Sequence, residues 1–285
     1  ATLYVQKGGK SLREFLYRDT EAAYGSSNVA ILAPHLIVTP VDMDVLYGSE
    51  EQPEQYAYIV NSDGTLAQFH SIRDEEVAGF ALWDTDGDYK SVCVVGSKVF
   101  VAVQRTLNSV STRCLEVFEE GRTLDCSLDA TSGGATTTFA AAVPHLANMA
   151  VEVVSGNLYL GGFTAGGTGT VTTNDEVTSI TAGLDYTPTF TTLPAASALS
   201  EGSLLGEIKR LVKCVIALDS SVECVVEGQS LIIRDVTDDL SLDPTAFTGK
   251  NEFLLKGYSR DAQFTVEQQV PLSLTVLGFN LEIAA

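Results

Sequence analysis

Cations are scarce in this sequence. Seventeen Lys and Arg stand against 37 Asp and Glu, a formal charge of −20. Adhesion to nucleic acid needs clustered Lys and Arg to attract phosphates, so the composition argues against a nucleic-acid binder. DNA that passes nearby without sticking is compatible with it. So is the simplest reading, an acidic surface that keeps a protein in solution. Long apolar runs are missing too. No stretch reaches the 18 or so residues that a membrane-spanning helix requires, so no membrane span is expected. The opening ATLYVQKGGKSLREF has no apolar core of the secretory type. It also lacks an initiator Met, and the expectation is a processed chain or a part of a longer product.

Cysteine is sparse and badly spaced for a framework. The five stand at 93, 114, 126, 214 and 224, an odd number with no CxxC. That spacing suits neither a zinc site nor a disulfide scaffold. Cys93, Cys214 and Cys224 lie in apolar, strand-like runs and read as buried thiols. Cys214 and Cys224 could alternatively face one another across a hairpin.

Motifs of catalysis are absent as well. No GxSxG, HExxH or HxE pattern occurs. The three histidines are His35, His70 and His145. His35 and His145 each follow a proline, at Pro34 and Pro144, and read as boundary residues. Carboxylate doublets stand at Glu75-Glu76, Glu119-Glu120 and Asp238-Asp239. A glycosidase needs two carboxyls set across a cleft. Neighbours on a strand point to opposite faces, so the doublets read as solvated turns. No catalytic, cofactor-binding or metal-binding residue is assigned, and no cofactor is expected.

What is present is strand and turn. Hydrophobic residues make up 45% of the 285, enough for real cores. The runs Gln55–Val60, Thr65–Ile72, Glu75–Trp83, Ser91–Arg105 and Thr112–Glu119 follow one another with turn residues between them. This regular spacing predicts an antiparallel all-β unit, either a four-stranded propeller blade or a sandwich sheet. The stretch NSDG (Asn61–Gly64) is a turn. Two short stretches predict helix, Ser26–Leu36 and the weaker Ser200–Leu211, which Gly202 and Gly206 interrupt. DCSLDATSGGATTTF, from Asp125 to Phe139, has loop chemistry and marks a candidate boundary. The glycine-rich GGFTAGGTGT (Gly161–Thr170) has no Lys-Ser/Thr after it and reads as a hairpin or barrel connection, not a phosphate loop. Later runs, Arg210–Ser221, Asn251–Ser259 and Asp261 onward, are strands again, with Pro271 at an edge or a break.

One stretch invites a metal reading. In ALWDTDGDYKSVCVV, Asp84, Asp86 and Asp88 alternate around Gly87. A calcium loop counted from Asp84 would need Gly at its sixth position and Glu at its twelfth. Those positions are Tyr89 and Val95. A hairpin turn centred on Asp86-Gly87 accounts for the residues better. The aromatics near it, Trp83 with Tyr56, Tyr58 and Phe69, suit either a sugar-binding platform or a β core.

The ordered set of these features resembles the tailed-phage tail nozzle proteins, also called tail tubular or head–tail stabilisation proteins. The resemblance runs through Arg13–Phe15, LAPHL (Leu32–Leu36), NSDGTLAQF, the Val77…Trp83 strand, the DTDG turn ahead of SVCV at Ser91, VFVAVQR and CLEVFEE. HLANMAVEVVSGNLYLGG…VTSITAGLDYTPTFTTLP resembles the small barrel inserted in such proteins, itself similar to the first catalytic-cysteine half-domain of ubiquitin-activating enzymes. The ending QQVPLSLTVLGFNLEI resembles the family's closing strands. Together these cover most of the chain.

The resemblance implies an all-β fold with a propeller-like or sandwich core and an inserted small β-barrel. The implied division is a β-rich platform over 1–134, the barrel over 135–195 and a segment rejoining the core over 196–285. It implies a long N-terminal half that this sequence does not contain. It also implies a structural, non-enzymatic role: a ring of about six copies in the virion tail below the portal and adaptor, assembled in the host cytoplasm, that retains packaged DNA and conducts it during ejection. Implied partners are other copies of the chain, the tail adaptor, tail fibres, a spike or needle, and DNA sliding through the lumen without sequence-specific binding. Six copies would carry six times −20, and like charge repels the DNA backbone over roughly 8–10 Å at physiological salt. Two other readings compete: an adhesin or carbohydrate-binding module, and a polysaccharide depolymerase.

Overall fold

Why YAYIV and LAQFHSI are apolar at nearly every position becomes plain in the computed structural model, which describes residues 2–19, 22–48, 55–72, 77–195, 198–199, 202–203, 206–234, 237–239 and 242–284. The chain is all-β, and among the described residues every strand pairing is antiparallel. It divides into two compact units, Ala1–Arg122 and Thr123–Ala285.

The first unit is three consecutive meanders. β1 (Thr2–Val5), β2 (Leu12–Arg18) and β3 (Ala23–Asn28) form one sheet. β4 (Asp42–Leu46), β5 (Tyr56–Val60), β6 (Leu66–Ile72) and β7 (Val77–Trp83) form the next, in sequence order. β8 (Asp88–Val95), β9 (Lys98–Leu107) and β10 (Val110–Val117) form the third. The four-stranded sheet is covered on both faces. Ala57, Ile59, Ala67 and Phe69 pack with Leu12, Ala30 and Ile37 on the side of the first sheet. Tyr58, Val60 and Leu66 pack with Tyr89, Val92, Val99, Val101 and Val103 on the side of the third. Burial on both faces removes the polar alternation expected of a half-exposed strand, so Leu66 and Phe69, out of phase with each other, each find a core.

The second unit begins with β11 (Asp125–Phe139), β12 (Ala150–Ser155), β13 (Leu158–Thr164) and β14 (Val171–Leu184), a sheet ordered β11-β14-β12-β13. After β15 (Thr189–Thr191) and the short pair β16 (Ala198–Leu199) and β17 (Gly202–Ser203) come β18 (Arg210–Ser221), β19 (Val225–Val226), β20 (Gln229–Ser230), β21 (Phe247–Leu254), β22 (Thr265–Glu267) and β23 (Val276–Ala284). They form the sheets β21-β18-β23 and β15-β22-β19-β20. These two share a core of Leu211, Cys214, Ile216, Leu218, Val226, Phe253, Phe264 and Val266.

Several expectations are corrected. Ser26–Leu36 is not a helix. Ser26 and Asn28 complete β3 against Phe15 and Arg13, and only Pro34–Leu36 is helical, as a 3-10 helix with Pro34 in its first turn. Of Ser200–Leu211, the described residues hold β17, a turn at Gly206 and the start of β18. Asp125–Phe139 is a strand, not a loop, and it runs through the boundary expected at 134/135. Its Thr-rich sequence pairs with β14 in a register broken three times, between Asp125 and Leu128, Thr131 and Thr136, and Thr136 and Thr138. Bulges of this kind bend a ribbon whose exposed faces can stay polar. The unit boundary falls between Arg122 and Thr123, and the segment expected to be a separate barrel belongs to the same unit as the residues after it.

Candidate functional site

The Asp84–Asp88 stretch is a connection between sheets, not the hairpin expected. β7 pairs with β6, β8 pairs with β9, and the stretch carries the chain from one to the other. The crossing is held from beneath by Arg105, which is almost wholly buried. Its Nη1 donates to the Asp86 carbonyl at 2.9 Å. Its Nε and Nη2 donate to the two carboxylate oxygens of Glu116, each at 2.7 Å. Gly87 sits at φ +150°, where a Cβ would meet the Gln104 carbonyl oxygen at 2.6 Å. Backbone passing this close over backbone requires glycine. The Asp88 carboxylate pairs with Lys90 at 2.9 Å. Among the described residues, no three His, Cys, Asp or Glu side chains converge as a metal site.

A second pair of carboxylates locks the same two sheets together. Asp42 and Asp44 alternate on β4, on the face toward β8. Asp42 Oδ2 accepts from the Val92 amide at 3.1 Å, and Asp44 Oδ2 accepts from the Val94 amide at 2.6 Å. Their other oxygens accept from the amides of Met43 and Val45. Two outward N–H groups of an edge strand are thereby capped, which removes them as a template for unwanted pairing. The alternation Asp-Met-Asp was visible in the sequence, but its partner strand lies 50 residues away.

Trp83 belongs to the rim of the core. Its indole stacks on Phe118 at 4.8 Å and donates to Gln68 Oε1. Tyr58 and Phe69 are buried on opposite faces of their sheet, so the aromatics near the DTDG stretch form no common platform. A cluster of exposed aromatics lies elsewhere, on the outer face of the first sheet. There Phe15 and Tyr24 stack at 5.3 Å, and Tyr17 meets Tyr24 edge-on at 5.2 Å. Tyr4 stands beside them, its hydroxyl 2.8 Å from Ser26 Oγ. Arg13 lies flat in the same face and donates to Ser26 Oγ, the Ser26 carbonyl and Gln6 Oε1. The alternation of Arg13, Phe15 and Tyr17 along β2 carried this signal in the sequence. The outer face of the third sheet is mixed, with Cys93, Phe100, Leu115 and Val117 beside Lys98 and Arg113.

The remaining candidates do not converge. His70 Nδ1 lies 3.1 Å from the Gln55 carbonyl, and its ring lies against Tyr56. His145 Nε2 donates to the Cys126 carbonyl at 2.8 Å. His35 and His145 occupy matching Pro-His-Leu 3-10 turns, one in each unit. Glu119 pairs with Arg122. Glu75 and Glu76 lie outside the described residues. A cleft of about 470 Å³ in the second unit is lined by Lys209, Glu227, Gln229, Lys256, Tyr258 and Gln263 among others. Its polar side chains are largely engaged with backbone: Glu227 accepts from the Thr265 amide, Gln229 donates to the Leu254 carbonyl, and Gln263 to the Thr192 carbonyl.

Of the cysteines expected to be buried, Cys214 and Cys224 are, and Cys93 is exposed on the outward phase of β8. Burial pushes both buried thiols up to about 11, with Cys224 adding to the shift at Cys214 and Glu223 to that at Cys224. Three units above pH 8 leaves roughly one thiolate in a thousand. Brief treatment with an aromatic disulfide reagent at pH 8 is therefore expected to label Cys93 first. Cys214 and Cys224 should react only on unfolding, as peptide mapping will show. Early labelling of Cys214 would contradict the core described above.

Compared with family models and with curated proteins, the chain matches none.

Proposed function

We propose that the chain is a structural component of a phage tail, a subunit of a nozzle or tube ring that lies below the portal and adaptor and conducts DNA without binding it. One observation carries this reading. The first unit is a face-to-face stack of three meanders whose two end faces are both open, one lined by Phe15, Tyr17 and Tyr24 and one by Phe100, Leu115 and Val117. Stacked meanders of this kind are the repeating element of propeller-like platforms. Open apolar ends ask for further sheets, from neighbouring copies or from other tail proteins. The net charge of −20 fits a conduit for DNA, because like charge discourages adhesion.

The native mass of the particle tests the proposal, by multi-angle light scattering and by imaging of tail preparations. The expected result is a closed ring of about six copies around a channel in the tail preparations. A trimer there, of the kind a fibre or adhesin forms, would overturn it. A second reading is a carbohydrate-binding module, favoured by Phe15, Tyr17 and Tyr24 exposed on a flat sheet beside Arg13. Retention of the monomer on a glycan array, lost in Tyr24→Ser, would favour it.

A further inference from the structure

Besides the outer face of the third sheet, two surfaces of the first unit are apolar and exposed, and they carry opposite charge. The first is the aromatic face of the β1–β3 sheet, with Phe15 43%, Tyr17 48% and Tyr24 69% exposed. It lies in a part of the chain that escapes the general acidity. Residues 1–28 hold four bases and three acids, so the rest of the chain carries −21. Lys7 and Lys10 are exposed in the turn between β1 and β2, and Gln6 in that turn accepts from Arg13 on the face itself.

The second surface is the free edge of β7. Among the described residues this strand pairs with β6 alone. Its sequence, VAGFALW, has no charge, no proline and no bulge, and all of it but Phe80 is exposed. Natural edge strands are blunted by charge, proline or a bulge, because a bare apolar edge recruits a partner. The exposed Asp84 and Asp86 follow it directly.

We infer that these two surfaces are the halves of one contact: the aromatic, basic face of one copy docks on the β7 edge and the Asp84–Asp86 connection of a second copy. The partner is another copy by charge complementarity. Copies of a −20 chain repel one another as wholes, and a local match of a basic apolar face with an acidic apolar one offsets that repulsion. Tyrosine and arginine are also the side chains that dominate binding energy at interfaces. Face-to-face self-pairing would set Lys7 and Lys10 against themselves, so the contact is heterologous. Heterologous contacts propagate, closing into a ring where the rotation allows and running on as a filament where it does not. The inference rests on the ring reading only for its biological setting.

Charge reversal tests it on the full chain. The variants are Lys7→Glu with Lys10→Glu, and Asp84→Lys with Asp86→Lys, all at exposed sites. Sedimentation at low salt gives the mass. Emission of Trp83, the single tryptophan and the last residue of β7, reports on the edge itself. Wild type should assemble with a blue shift of Trp83, and lose assembly as salt rises. Each variant alone should assemble about ten- to thirtyfold more weakly. An equimolar mixture of the two should assemble again, because each reversed surface meets its complement on the other variant. Tyr24→Ala should weaken assembly by about thirtyfold or more. The inference is overturned by a mixture that stays monomeric, by variants that assemble as wild type does, by a wild type that is monomeric at low salt, or by a face that retains glycans on a chain that never assembles. A ring of unchanged mass in every variant would remove this contact and leave the conduit reading standing.

Discussion

Replacing Arg105 with methionine is expected to cost the first unit about 3 kcal/mol of stability, at the low end of what breaking a buried ion pair costs. The guanidinium is almost wholly buried, and Glu116 keeps 18% of its side chain exposed. Methionine fills much of the volume but strands the carboxylate of Glu116 and frees the Asp86 carbonyl. Partial exposure of Glu116 lets water take up some of that charge, which is why the low end applies. The measurement is urea unfolding followed through Trp83 emission, where the midpoint should fall with the slope unchanged. Adding Glu116→Leu should recover most of the loss, since replacing both partners by apolar groups is often close to neutral. A single variant within 1 kcal/mol of wild type would mean that Arg105 does not anchor the crossing between the second and third sheets.

How much of this was legible beforehand differs from element to element. The meander of the first unit could be read directly, because YAYIV, NSDG and VFVAVQR punctuate apolar runs with turn residues at short spacing. Each pairing there joins neighbours in the chain. The sheet assignment of β7 and β8 was not legible. Asp86-Gly87 carries the composition of a hairpin, and local chemistry cannot say that β8 turns away to bury Tyr89 and Val92 against the other face of β5. Ser26–Leu36 misled for a related reason. Its N-cap residues and short apolar run have helical character, but Ser26 and Asn28 are needed to finish a sheet whose other strands begin at Thr2 and Leu12.

Non-local partners explain the other failures. Asp125–Phe139 has no apolar alternation, so nothing in it signals a strand. It becomes one because β14 offers a partner some fifty residues on, as between Asp129 and Thr181. The Arg105–Glu116 pair joins two residues 11 apart that look like solvated charges in a strand. The aromatics beside the DTDG stretch are not the exposed cluster. Trp83 is a core-rim residue that stacks on Phe118. Phe15, Tyr17 and Tyr24 are exposed because β2 and β3 lie at the end of a stack, and stacking order is a property of the tertiary fold. The carboxylates at Asp42 and Asp44 were ordinary acids until β8 supplied two amides.

In the second unit the largest effect is expected at Phe264. It is fully buried where the β21-β18-β23 and β15-β22-β19-β20 sheets meet, and its ring meets Phe279 edge-on at 5.2 Å. Phe264→Ala removes a ring from a two-sheet core and leaves a cavity that strands paired on both sides cannot collapse to fill. The expected loss is about 3–5 kcal/mol. Phe264→Leu keeps most of the volume and should lose about 1.5 kcal/mol or less. Cys214 and Cys224 sit in the same cluster and serve as reporters. If they are reached only through unfolding of this core, their labelling should accelerate by roughly two to three and a half orders of magnitude in the alanine variant, since each 1.4 kcal/mol is a factor of ten. Cys93, in the other unit and already exposed, should keep its rate and acts as an internal control. Unchanged protection of both buried thiols in Phe264→Ala would mean that the two sheets do not depend on this side chain for a common core. Acceleration confined to one thiol would locate a local opening at that end of the cluster instead.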